Sequence, residues 1–415
     1  MIIKKIILDN FRNYGRLELE VGPSVNIIYG NNAQGKTNII EAINVCSTTS
    51  SHRVNRDNEL VMFNKSYYSA ELILHDEVYG TDMDLKASFY LDKDDIPKGK
   101  KPGRELFQDG APIRKISDYI GVCNTVIFAP EDLNLVKGAP SGRRRFFNML
   151  ISKVSPTYMD LISNANKAIK RKNDLLKTYG GRIDNINDND LDLWDFYISD
   201  TSADLILFRY RYALLLSKKA SMHHSVISGG KENLTVEYDT ITDVKDLLKR
   251  LLDDNGMFDL YVEGRASEAI LSDIRRKLSD LIYKKLKASR KKEVEKGISL
   301  IGVHRDDLDI RLNGVSMRSF GSQGQQRSAS LSLKLAELEI IREMVSNSPI
   351  LLLDDVFSEL DSGRRTSLLA GMKGAQIFIT CTDKTYIENE MTGLLMDGVK
   401  PTYIRVENGC VFVDN

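Results

Sequence analysis

The sequence predicts an α/β fold, a mixed sheet with helices, interrupted by a largely helical second domain. Three observations predict it. A glycine-rich loop, "GNNAQGKT", joins the apolar run "VNIIY" to the helix-like "NIIEAI". An unbroken apolar run that ends in two carboxylates, "PILLLDDV", reads as a central strand buried on both faces. Between them, from about Ser141 to about Lys296, apolar residues recur at helical spacing. The domain reading is therefore a head in two parts, residues 1–140 and 297–415, with a helical insert over 141–296.

The bulk numbers bound this reading. A chain of 415 residues, 42% of them hydrophobic, can bury two or three cores. Lys+Arg and Asp+Glu balance at 58 each, so any nucleic-acid contact must be a local patch rather than a bulk effect. Cys46, Cys123, Cys381 and Cys410 lack metal or redox spacing and read as buried thiols of a reducing cytoplasm. The opening "MIIKKIILDNF" is broken by lysines and reads as a strand, not a leader. No run of about 18 apolar residues exists to cross a membrane.

Along the chain, "IIKKIILDNF", "RLELEV" and "VNIIYG" open the sheet, and "YYSAELIL" and "DLKASFYL" continue it. The charged "DKDDIPKGKKPGRE" reads as an exposed loop, and Asp109-Gly110 as a tight hairpin turn. "NTVIFAPEDL" is a buried strand running into a loop. Inside the insert, "LTVEYD" hints at a strand. "ISLIGV" and "DLDIRL" return to strand, with Asn313-Gly314 as a second hairpin turn. A helix through "GSQGQQRSASLSLKLAEL", the acidic-ended strand, a helix from "SGRRTSLLAGM" and the strand "AQIFIT" follow.

The loop fits G-x-x-x-x-G-K-[ST] at every fixed position: Gly30, Asn31, Asn32, Ala33, Gln34, Gly35, Lys36 and Thr37, with Asn38 next. Such a loop turns successive N–H groups toward phosphate oxygens. Lys36 would reach the β and γ phosphates of ATP, and Thr37 would hold Mg²⁺. Asp354, at the end of the buried strand, would be a second metal ligand, and Asp355 would polarise the attacking water. The start of the helix at Ser322, Gly324 and Gln325 offers unpaired N–H groups and a partial positive charge. One P-loop already cradles its own phosphates, so a second anion-seeking helix start is surplus unless it serves another nucleotide.

A Ser-x-Gly-Gln turn opening a helix before "LLLDD" and "SELD" resembles the signature of ABC-type ATPase heads. The resemblance implies head-to-tail dimers in which Ser322, Gly324 and Gln325 cap the ATP held by a partner's P-loop, with Asp361 at the interface. "FRNY", "FAPEDLNLVKGAPSGRRRFF", "GVHRDDL" and "GQQR" narrow it further: from Arg12 to about Asp383 the chain resembles the RecF family of recombinational-repair ATPases. That family implies an ATP-dependent homodimer on DNA, gapped or junction-containing duplex, with slow hydrolysis. It also implies cooperation with RecR and RecO in loading recombinase. Val303 stands where many relatives have Pro, Gln323 differs from many relatives, and Asp355 stands where general ABC enzymes carry Glu. The shorter carboxylate of Asp355 agrees with slow turnover.

Other assignments keep two readings. Glu131 stands where ABC heads place a Gln that contacts Mg²⁺ and the lytic water, or is a loop carboxylate. Arg12 reaches the nucleotide phosphates, as in related heads, or makes an ion pair. His304 and Arg305 touch the nucleotide or the signature loop, or build a structural network. Arg143, Arg144 and Arg145, the loop with Lys98, Lys100, Lys101 and Arg104, and the run Lys284 to Lys292 are DNA candidates or solvated faces. Two rival functions share the P-loop. A transporter's nucleotide-binding subunit is disfavoured by the large insert, and a chromosome-organising SMC protein by the absence of long heptads.

Overall fold

The computed structural model describes residues 1–92, 97, 99–182, 188–357, 360–385 and 400–414. Strands β1 (Ile2–Phe11), β2 (Tyr14–Glu20) and β3 (Val25–Tyr29) lead into helix α1 (Lys36–Thr48). β4 (Tyr67–Asp76), β5 (Thr81–Tyr90), β6 (Gly103–Gln108), β7 (Ala111–Pro112) and β8 (Thr125–Phe128) follow. Then come α2 (Leu133–Lys137), α3 (Pro140–Val154), α4 (Pro156–Thr178) and the long α5 (Asp188–Ser228). β9 (Leu234–Asp239), α6 (Thr242–Asp254), α7 (Phe258–Glu263) and α8 (Glu268–Lys296) complete the central stretch. β10 (Asp307–Leu312), β11 (Val315–Ser316) and α9 (Met317–Phe320) precede α10 (Gln323–Met344). The chain closes with β12 (Ile350–Asp354), α11 (Ser362–Met372), β13 (Ile377–Cys381), β14 (Thr402–Glu407) and β15 (Cys410–Asp414).

The chain divides into two compact units. The first comprises Met1–Asn134, His223–Lys231 and Gln323–Asn415. It holds an antiparallel sheet, β2-β1-β4-β5-β6-β7, and a mixed sheet, β15-β14-β3-β13-β12-β8. Helix α1 packs against strands of both, which is why Ile39, Ile40, Ala42, Ile43, Val45 and Cys46 are all buried. In the mixed sheet β12 pairs parallel with β13 on one side and β8 on the other, and all five of its residues are buried. That is the arrangement an unbroken apolar run requires, because neither face meets water. β3 pairs parallel with β13 and β14, so the ends of β3, β13 and β12 open on one edge. Ligands of parallel sheets collect at that carboxyl edge.

The second unit comprises Leu135–Met222 and Glu232–Ser322. It is helical apart from a three-stranded sheet, β11-β10-β9. Six residues of β10 pair with six of β9, which draws the stretch after Lys296 into this unit rather than into the head. Both hairpin turns form as read. Asp109 and Gly110 have φ of 51° and 70°, Asn313 and Gly314 of 50° and 81°, and each pair links two antiparallel strands. Positive φ at both positions is the reason Asn-Gly and Asp-Gly serve there. The closing hairpin β14–β15 had no counterpart in the sequence reading, and it belongs to the mixed sheet.

Candidate functional site

The glycine-rich loop leaves β3 and enters α1, as its sequence context requires. Gly30 has φ 144° and Gly35 φ 113°, both closed to side-chain-bearing residues. Space forbids a side chain as well. A Cβ on Gly30 would lie 2.3 Å from the Val406 carbonyl oxygen, and one on Gly35 2.5 Å from Asn13 Nδ2. Asn13, in the turn after β1, donates to the Gln34 carbonyl (3.2 Å) and accepts from Asn38 (2.8 Å). The Tyr14 hydroxyl donates to the Gly35 carbonyl (3.0 Å), and the Asn408 N–H donates to Gln34 Oε1. The loop is thus braced by two distant turns.

Lys36 donates to the carbonyls of Gly30 (2.6 Å) and Asn31 (2.7 Å). Burial lowers its pKa from the ordinary lysine value, against the opposing pull of Asp355, Cys381 and Asp354. Thr37 Oγ1 donates to Asp354 Oδ1 (2.8 Å), joining loop and strand end across 317 residues of sequence. Thr380, at the end of β13, donates to the same oxygen (2.8 Å), and its hydroxyl accepts from the Asp355 N–H (2.9 Å). Burial alone would raise the Asp354 pKa. The neighbouring His52 ring and the hydroxyls of Thr380 and Thr37 outweigh it and hold the carboxyl below the usual range. Asp355 adopts φ 51°, an uncommon conformation that turns it away from its neighbour. An open cleft is lined by Asn32, Ala33, Gln34, Gly35, Lys36, Thr37 and Asn38, with Arg53, Asp355, Thr380, Cys381 and Thr382.

Arg12 is not among the residues that line this cleft. Its Nε (2.9 Å) and Nη2 (2.7 Å) form a fork on the fully buried Glu41, and its Nη1 donates to the Glu59 carbonyl (2.7 Å). The arginine of the cleft is Arg53, 3.6 Å from Glu41 and bonded to Asn38 Oδ1 (3.2 Å). The sequence reading passed over Arg53, its neighbour His52 and Thr380. The only signal was "SSHR", polar residues just past the P-loop helix. Glu131 sits in the turn after β8, and its Oε2 is buried without a hydrogen-bond partner among the described residues.

Ser322 directly precedes α10, and Ser322 and Gly324 are exposed while Gln325 is half-buried. Asp361 caps α11 by accepting from the Arg364 N–H (3.0 Å). The Arg364 guanidinium then reaches Asp361 Oδ2 (3.1 Å), the Gly324 carbonyl (2.8 Å) and Ser328 Oγ (3.0 Å). Ser358 and Glu359 of "SELD" lie outside the described residues, as does Lys98.

The basic patches resolve unequally. Arg143 is 3% exposed and gives its fork to Asp307 (2.8 and 2.6 Å) and Nη1 to the Gly138 carbonyl, so it is a structural residue and not a DNA contact. Arg144 is half-buried on the Asp306 carbonyl (2.8 Å), while Arg145 is exposed. Lys100 bonds Glu105 (2.7 Å) above the rings of Tyr90 and Phe107, Arg104 pairs with Asp57, and Lys101 is exposed. His304 and Arg305 both approach the Ser299 carbonyl, beside Asp306, which takes Arg209, Tyr238 and Thr240.

The family described as RecF/RecN/SMC N terminal domain matches residues 2–400. The chain is 36% identical over 401 residues to the DNA replication and repair protein RecF of Clostridium acetobutylicum, covering 96% of this chain and 98% of that one. It is 38% identical over 412 residues to the protein of that name from Bacillus subtilis, covering 99% and 100%. Among solved structures, it resembles a recombination mediator protein RecF-ATPrS of the RecFOR pathway, with TM-score 0.80 and 28% identity over 100% of this chain and 98% of that one. The RecF-ATP form gives TM-score 0.80 and 27% identity, covering 99% of each.

Proposed function

This chain belongs to the RecF family, ABC-type ATPase heads of DNA replication and repair, and from that premise we propose that ATP closes two copies of it head to tail on DNA. A relative solved with ATP supports that nucleotide here, as does the P-loop cleft. The relatives leave the transporter reading without support. Among the described residues no helix is long and apolar enough to cross a membrane.

The observation that carries the trans reading is Gly324. It is exposed, and a Cβ there would meet nothing nearer than Arg364 Nη2 at 3.6 Å. Nothing among the described residues requires glycine in this first turn, although glycine costs a helix interior roughly 1 kcal/mol relative to alanine. Close approach of an outside group, the γ-phosphate of a partner's ATP, supplies the reason. Ser322 and Gln325 then donate beside it, and Asp361 lies on the same surface through Arg364.

Mg²⁺ fits the residues present. Thr37 and Asp354 already touch, and Asp354 is held ionised. Among the described residues no cluster of three or more His, Cys, Asp or Glu exists, so phosphate oxygens and water would complete the shell, as this ion prefers. When bound, the ion neutralises charge that develops on the phosphates. Lys36 positions the β and γ phosphates, Asp355 takes the proton of the attacking water, and the orphaned Glu131 oxygen orients that water. Hydrolysis to ADP and phosphate is slow and removes part of the dimer interface. DNA contacts fall to Arg144, Arg145, Lys100 and Lys101, and the cytoplasmic partners are RecR and RecO at gapped DNA.

Sedimentation with ATP, with ADP and with neither tests the reading. The parent dimerises with ATP only. Ser322→Arg binds ATP as the parent does but stays monomeric. A Ser322→Arg chain that dimerises normally overturns the head-to-tail arrangement. Asp355→Asn stops turnover while dimerisation persists, and parental turnover in that variant removes Asp355 as the base.

A further inference from the structure

We propose that His52 is a positioning residue for the metal-binding carboxylate Asp354. The inference rests on the reading of Asp354 as a metal ligand. The His52 side chain is 9% exposed, and neither ring nitrogen has a hydrogen-bond partner among the described residues. A buried imidazole with both nitrogens unsatisfied is rare, because water is given up and nothing returned. The unsatisfied group has a counterpart. Asp354 uses Oδ1 for both Thr37 and Thr380, while Oδ2 receives no hydrogen bond among the described residues. His52 Nε2 lies 3.9 Å from that Oδ2, about 1 Å beyond hydrogen-bond distance.

The place of His52 in the chain says what would close the gap. It sits in the turn after α1, where Thr49 takes φ 56° and the Ser51 hydroxyl accepts from the N–H groups of Arg53 (2.9 Å) and Val54 (3.1 Å). The next side chain, Arg53, lines the nucleotide cleft, so one turn carries a cation to the phosphates and an imidazole to the carboxylate. Binding of Mg²⁺-nucleotide shifts the turn through Arg53. His52 then donates to Asp354 Oδ2 and fixes the carboxylate so that Oδ1 faces the metal. Outer groups that orient a ligating side chain govern metal affinity in this way.

The test uses the full chain, a fluorescent ATP analogue, and titrations in Mg²⁺ and in EDTA. His52→Leu should raise the Mg²⁺ concentration at half-saturation about tenfold, the usual loss on removing such an outer partner. Affinity in EDTA should stay within about twofold of the parent, since the ring acts through the metal site. His52→Gln, whose amide still donates, should recover most of the loss. His52→Leu with a parental Mg²⁺ midpoint overturns the proposal, as does an equal loss in EDTA. Should the Leu variant not fold, His52→Asn, one bond shorter, replaces it with the same expectations. Asp354→Asn separates the two readings. If its Mg²⁺ midpoint is also parental, the metal assignment of Asp354 fails. If only Asp354→Asn shifts the midpoint, the role of His52 fails.

Discussion

Replacing Arg12 with alanine separates a structural arginine from a nucleotide ligand. The Arg12 fork holds Glu41, whose side chain is fully buried inside α1, and a third donor reaches the Glu59 carbonyl. Removing one partner of a buried pair leaves an uncompensated charge and costs about 3–5 kcal/mol. Two groups remain for Glu41: the Ser51 hydroxyl, which donates to Oε1, and Arg53 at 3.6 Å from Oε2. Arg12 itself keeps 19% of its side-chain surface in water. The lower end of the range, about 3 kcal/mol, is therefore the expectation for Arg12→Ala. Pairing it with Glu41→Gln removes the stranded charge, and the double variant should regain most of that stability. Denaturant unfolding followed by a head-domain probe gives the cycle, and binding of a fluorescent ATP analogue is measured beside it. Refutation would be an Arg12→Ala chain of parental stability whose ATP affinity has fallen tenfold or more. That result would move Arg12 onto the phosphates.

Two further perturbations read other parts of the site. Burial pushes the Asp132 carboxyl up to about 6, against Lys334 and the Ala129 N–H. The folded chain then binds more protons than the unfolded one between about pH 4 and 6, so stability falls as pH rises through that window. A shift of roughly two pKa units corresponds to ~3 kcal/mol, and the partial exposure of Asp132 brings the expectation to ~2. Asp132→Asn should therefore match the parent near pH 4 and exceed it by that amount at pH 7.5 in denaturant unfolding; equal stability at both pH values contradicts the argument. Arg364→Ala removes the link between Asp361 and the Gly324 carbonyl. ATP affinity of the monomer should hold within about twofold while ATP-driven dimerisation weakens about tenfold or more, the loss of one charge-assisted bond and its helix tie. Parental dimerisation of Arg364→Ala in sedimentation would show that the signature helix needs no such tie.

Local chemistry made much of the head legible. Gly30 and Gly35 announce a loop because no other residue takes their φ values. Asp109-Gly110 and Asn313-Gly314 announce turns because Asp, Asn and Gly tolerate positive φ best, and the five buried residues of β12 announce a central strand. Each signal sits within a few residues and needs no knowledge of the rest of the chain. Charge runs are poorer guides, because a sequence does not say which cations are buried. Arg143 and Arg145 stand two apart in "RRR", yet the first is buried on Asp307 and the second is exposed. The helical phase decides between them, and only packing fixes that phase.

What stayed hidden is the set of contacts between distant stretches. The Asn408 N–H meets Gln34 across 374 residues, and the Val406 carbonyl blocks any side chain at Gly30. The first glycine of the P-loop thus has two causes. Phosphate needs a bare backbone there, and so does the neighbouring strand β14, which pairs with β3. The second cause makes the C-terminal hairpin a brace for the P-loop rather than an appendage of the sheet. Arg53 and His52 follow the same logic. They stand in a polar turn that no motif marks, and they gain meaning only because β12 delivers Asp354 beside them. A P-loop can be read from eight letters. The pocket around it is lined by the turn after α1 and the ends of β12 and β13, and the loop is held from behind by the first turn and the last hairpin, so its chemistry depends on stretches far apart in the chain.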